Sequence, residues 1–85
     1  DKVNALALSK ILFNIKACYK KGITDVKALT ETAYSYLNES HSLEYLEFRD
    51  EEDLEEKQVA DDNTVVFIAV KIGNVRLIDN IALGN

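Results

Sequence analysis

The side chains from which a reactive site could be built are few and fall in three places. His41, the single histidine, is the one group whose ordinary titration lies near neutral pH. The stretch from Asp50 to Asp62 holds 8 of the 15 acidic residues and is the one place dense enough in carboxylates to suggest a cation. Lys71, Arg76, Asp79 and Asn80 flank the dipeptide Gly73-Asn74 and set two cations beside two short polar groups, a combination suited to meeting an anion such as phosphate.

Each has a plainer reading. His41 falls in a polar junction between a helical and an extended pattern, and no nucleophile or orienting acid can be placed beside it, so it reads as a turn or capping residue. In the acidic stretch Asp50 and Glu52 alternate as in a calcium loop. The fifth position, however, is Leu54, and the sixth, where glycine makes the sharp bend, is Glu55. A solvated connection anchored inward by Leu54 and Val59 is expected instead. Asp79 and Asn80 follow an apolar run, where short polar side chains bond local backbone groups. The chain has no glycine-rich phosphate loop, no Cys and His at metal spacing and no Gly-x-Ser-x-Gly elbow. That leaves Lys71 and Arg76 as the candidate binding residues, with no catalytic or metal-binding residue assigned.

These residues must be positioned by the elements around them. Thr64 to Leu83 reads as a β-hairpin, because nine residues rich in β-branched and aromatic types precede Gly73-Asn74 and a second apolar run follows. That turn sets Ile72 opposite Val75, Val70 opposite Leu77 and Ile68 opposite Asp79. The other side then carries Phe67, Ala69 and Lys71 opposite Asn80, Ile78 and Arg76. Leu43 to Arg49 alternates with Leu46 and Phe48 on one side and Tyr45, Glu47 and Arg49 on the other, as an edge strand does. Thr64 to Ile72 is apolar on both sides and is expected in the middle. The face of Val66, Ile68, Val70, Ile72, Val75 and Leu77 should meet the helices. On the opposite face Lys71 and Arg76 make a like-charge pair, for which Glu47 is the expected counter-charge.

Upstream, Asn4 to Lys21 repeats Leu8, Ile11, Leu12, Ile15 and Cys18 or Tyr19 at three- and four-residue steps, the stripe of an amphipathic helix. Gly22 is placed to take its left-handed cap. Thr24 or Asp25 can cap a second helix whose buried stripe is Val26, Leu29, Ala33, Tyr36 and Leu37. Asn38 to Ser42 is polar and ends it. The fold class expected is α+β, with two main helices packed on a three-stranded antiparallel sheet that ends in the hairpin.

Composition bounds the partners. Eighty-five residues, 47% hydrophobic, with no proline and 3 glycines, suit one domain over residues 1–85. The net charge of −5 is uneven. Residues 1–40 carry 6 basic and 4 acidic groups, net +2, and residues 41–85 carry 4 basic and 11 acidic, net −7. Phosphate neutralisation needs clustered Lys and Arg, so nucleic-acid binding is not expected. No apolar run reaches the roughly 18 residues of a membrane span. One cysteine, Cys18, makes no internal disulfide and fits a cytoplasmic setting.

The run Lys71-Ile-Gly-Asn-Val-Arg-Leu-Ile-Asp-Asn80, preceded by Leu43-Glu-Tyr-Leu-Glu-Phe-Arg-Asp50 and by Ala5-Leu-Ala-Leu-Ser9, resembles the C-terminal domain of the pantothenate synthetases (pantoate–β-alanine ligases). The likeness covers nearly the whole chain in order. It implies a parent ligase that condenses pantoate and β-alanine with ATP through a pantoyl adenylate, releasing AMP and pyrophosphate, with ATP and Mg²⁺ as the parent's cofactors. The family's catalytic motifs belong to an N-terminal Rossmann-like domain, which is the implied partner and the implied homodimer interface. This chain would then be a lid over the cleft, inactive alone and holding no cofactor by itself. The competing expectations are a free-standing acidic protein-interaction module and a small enzyme using His41.

Overall fold

The computed structural model describes residues 2–37 and 41–84, with side chains from Leu8 onward. Helix α1 runs Lys2–Lys20 and α2 Val26–Tyr34, followed by strands β1 His41–Asp50, β2 Thr64–Ile72 and β3 Val75–Ala82. The strands form one antiparallel sheet in the order β1-β2-β3, so Thr64–Ile72 is the middle strand as its two apolar faces imply.

The α1 stripe is where its spacing places it. Leu8, Ile11, Leu12 and Ile15 are buried and Cys18 and Tyr19 pack beside them, while Phe13, off the stripe, stays exposed. The helix stops in a Schellman motif. Gly22 N–H donates to the Tyr19 carbonyl and Ile23 N–H to the Cys18 carbonyl, with Gly22 at φ +108°, a conformation that glycine adopts without a Cβ penalty.

Helix α2 is shorter than its apolar pattern suggests. It ends at Tyr34; Leu29 and Ala33 are buried, but Tyr36 lies past the last turn and is exposed. Asp25 is the N-cap residue, yet its side chain caps nothing. The Gln58 carbonyl accepts from the Val26 N–H instead, so the acidic connection performs the capping. The expected polar end over Asn38 to Ser42 lies partly outside the described residues. His41 opens β1 opposite Ile72 rather than sitting in a turn.

The hairpin register agrees pair for pair with the sequence expectation, from Ile72–Val75 to Phe67–Asn80. Gly73 has φ +62° and Asn74 does not share the positive value, which is the type II′ geometry that matches strand twist. Val66, Ile68 and Val70 are wholly buried against Leu8, Ile11, Leu12, Ile15, Leu29 and Ala33. Val75 departs from expectation: it points to the helix side but lies at the turn end and remains exposed.

Strand β1 contains a bulge between Leu43 and Tyr45, which pair with Val70 and Ala69 respectively and leave Glu44 as the extra residue. The bulge lets Leu43, Leu46 and Phe48 all face the core, a 3-then-2 spacing that strict alternation forbids.

Candidate functional site

The helices pack against one side of the sheet, and the chain's own core leaves the other side uncovered. Its side chains lie in rows across the strands: Ser42, Lys71 and Arg76; then Tyr45, Ala69 and Ile78; then Glu47, Phe67 and Asn80; then Arg49, Val65 and Ala82. Tyr45, Ala69, Ile78 and Phe67 make the centre apolar; the Lys71 row is basic, while Arg49 at the other end is paired with Glu47 and Glu56. Ile78 is exposed, whereas Ala69, small and flanked by Tyr45 and Ile78, is buried.

Lys71 and Arg76 are directly paired across β2 and β3, as the turn dictates. The counter-charge differs from expectation. Glu47 is occupied by Arg49, 3.2 Å away on its own strand, and Arg76 Nε instead donates to Glu44 at 2.5 Å. The bulge is the reason, because it frees Glu44 from the alternation and lets its carboxylate reach across the middle strand. Lys71 makes no ion pair among the described residues, so of the two candidate residues it is the one with its charge unspent.

The far end of this face is built by the turn after β1. Asp50 accepts from the N–H groups of Glu52 and Asp53 at 2.9 and 3.3 Å, and Asp53 accepts from Glu55 N–H at 2.9 Å. Arg49 donates to the Leu54 carbonyl at 2.7 Å. The expected inward anchors are overturned: Leu54 and Val59 are both exposed. Short polar-to-backbone bonds organise this stretch, and its inward anchors are Ala60, which is buried, and Lys57, which bridges Asp50 at 3.0 Å and Asp61 at 2.6 Å. Tyr45, Glu47, Arg49, Leu54 and Phe67 line a recess of about 240 Å³ on the sheet face.

The electrostatics follow these contacts. Asp61 is held below the usual carboxylate range mainly by Lys57, and Asp50 mainly by the Glu52 N–H with help from Lys57. Lys57 is raised in turn, mainly by Asp61. Among the described residues no three His, Cys, Asp or Glu side chains assemble into a metal site, so the acidic density serves the turn. On the helix side Tyr19 donates to Asp62 at 2.5 Å, which pushes its phenol up to about 12. Asp79 accepts from the neighbouring Asn80 N–H at 2.8 Å, the local bonding its position suggested.

A second groove of about 350 Å³, between the start of α2 and the acidic connection, is lined by Asp25, Lys27, Glu47, Glu56 and Lys57 among others. Its three carboxylates and two lysines are interspersed, so no cluster of one sign forms there.

Sequence reasoning overlooked Glu44 and the outward placement of Leu54. The signal for the first was present in the Leu43 and Leu46 spacing, where two core-facing residues stand three apart in a strand. Nothing in the residue types marks the second.

The comparisons with known proteins agree with one another. The chain is 38% identical over 86 aligned residues to a pantothenate synthetase of Geobacter sp. (strain M21), covering 99% of this chain and 31% of that protein. It is 41% identical to a pantothenate synthetase of Geotalea uraniireducens (strain Rf4), covering 99% of this chain and 30% of that one. The chain thus spans under a third of these relatives' length. Among solved structures, a pantothenate synthetase of Thermus thermophilus superposes with a TM-score of 0.80 over 93% of this chain and 29% of that one, at 20% identity, which shows a shared fold. The family model described as pantoate-beta-alanine ligase matches residues 1–82, and the chain belongs to that family.

Proposed function

We propose that this chain is the C-terminal lid of a cytoplasmic ligase that joins pantoate to β-alanine with ATP, through a pantoyl adenylate, releasing AMP and pyrophosphate. The observation that carries the reading is the family match over residues 1–82. The fold adds to it: the helices close one sheet face and leave the other, apolar in its middle and basic at the Lys71–Arg76 end, for the rest of the enzyme.

The lid's work is conformational. A rigid three-stranded surface closing over a cleft excludes water from the reactive acyl adenylate and holds the nucleotide in place. Lys71 is the residue best placed to meet the triphosphate or the catalytic domain, because its charge is not taken up locally; Arg76 shares the row but is oriented by Glu44. ATP would be held chiefly by the portion outside this chain, and any Mg²⁺ by ligands there or on the nucleotide. The partner is the N-terminal catalytic domain of the same protein, with the parent's dimer interface on that domain. A free-standing acidic interaction module is not favoured, since the acidic residues are engaged in building the turn after β1.

The isolated 85-residue chain mixed with ATP, pantoate and β-alanine should give no pantothenate, and the full-length protein should give it; turnover by the isolated chain would sink the lid reading. In the full-length enzyme Lys71→Ala combined with Arg76→Ala should raise KM for ATP severalfold. Unchanged ATP affinity would remove both residues from the site.

A further inference from the structure

Leu54 has φ +60°, the one positive φ at a non-glycine residue among the described residues. A side chain with a Cβ is disfavoured there, and a bulky aliphatic one more than Asn or Gly. The conformation is over-determined by its surroundings. Leu54 N–H donates to the Asp50 carbonyl at 3.0 Å, its own carbonyl accepts from Arg49, and Asp50 N–H closes the turn on the Glu55 carbonyl at 2.9 Å. The strain is thus fixed rigidly, yet the side chain it presents contributes nothing to the core and is 53% exposed. It stands at the rim of the recess formed with Tyr45 and Phe67, on the sheet face the helices do not cover.

We infer that Leu54, Tyr45 and Phe67 form an apolar seat for the remainder of the ligase chain, which inserts an aliphatic or aromatic side chain there when the lid closes. The inference rests on the lid reading and adds the point of contact. The occupant follows from two observations. The chain spans 31% of the relative's length, so most of such a protein lies outside it. The helix side of the sheet is already filled by the chain's own core, which leaves this face for that remainder. An exposed leucine held in a strained, hydrogen-bonded turn is rigid before contact, so little side-chain and loop ordering remains to oppose docking.

The test uses the full-length enzyme freed of other cysteines, with Cys18→Ala and a reporter at Leu54→Cys. Thiol labelling at 54 should slow at least tenfold when ATP and pantoate are added, while a reporter at Val59→Cys, also exposed but outside the recess, should label at one rate throughout. Equal rates at 54 with and without ligands would overturn the seat. Leu54→Asn provides a second arm, because Asn tolerates the left-handed conformation and should keep or raise the thermal midpoint. The seat predicts a severalfold loss of kcat/KM despite that stability, and wild-type kinetics would overturn it. A variant that makes pantothenate normally but labels equally would remove the seat alone; an unmodified full-length protein that makes none would remove the lid reading itself.

Discussion

Glu44 and Arg76 sit on the two edge strands of the sheet and meet at 2.5 Å over the strand between them. The pair offsets the repulsion that the Lys71–Arg76 register creates, and it ties the bulge on β1 to the hairpin turn. Both side chains are partly solvated, so the link is modest. Glu44→Gln is expected to cost about 0.2–1 kcal/mol in chemical denaturation of the chain, with the loss shrinking at high salt. A loss of several kcal/mol would show that the bulge itself depends on the carboxylate.

Tyr19 and Asp62 join α1 to the start of β2. Because the Tyr19 phenol donates to a carboxylate, its pKa is raised from 10.0 to about 12. The folded state therefore binds this proton more tightly than the unfolded one, and the stability involved is present below pH 10 and lost as pH rises towards 12. Ultraviolet titration of the tyrosines should show one late ionisation, and Asp62→Asn should return it to the ordinary range.

Lys57 holds two carboxylates at once. Asp50 and Asp61 are both depressed, so their contribution is complete above the ordinary value of 3.8 and disappears as pH falls through their folded values. Lys57 is raised, and its share is lost at the alkaline end as pH climbs through its folded value above 10.5. Lys57→Met should lower the thermal midpoint at neutral pH, and the gap from the wild type should close on acidification. A gap independent of pH would assign the loss to packing of the lysine stem.

Gly84 follows β3 and passes close to the chain leading into β2. A Cβ at this position would stand 2.1 Å from the Asp62 carbonyl oxygen, a backbone atom that cannot rotate away. Gly84→Ala should cost about 1–3 kcal/mol in thermal or chemical denaturation, the range of an overpacked site, with Tyr19 titrating earlier if Asp62 is displaced.

The hairpin and α1 are legible in the residues because both rest on local chemistry. A Gly-Asn turn with flanking β-branched residues fixes its own register, and a four-step apolar stripe fixes a helix face wherever it packs. The stretch from Asp50 to Val59 misleads because apolar residues in a polar loop suggest inward anchors, whereas here side chain-to-backbone bonds organise the loop and Leu54 and Val59 are released to solvent. The counter-charge for Arg76 is hidden for a different reason: a strict two-residue period counts Glu44 onto the core side, and the three-residue step from Leu43 to Leu46 is the one sign of an extra residue, which the pairing then places. The family is readable from segment order, yet those segments carry structure, so the rows of the uncovered sheet face become visible only when the register aligns them.

The bulge at Glu44 also works as a phase marker. Residues 41–43 are out of step with residues 45–50 by one side-chain alternation, and both groups still deliver their apolar members to the core. The first strand therefore has two frames spliced at one residue, and deleting Glu44 would merge them into one regular alternation, with Leu43 still opposite Val70 and facing the core, while removing the carboxylate that meets Arg76.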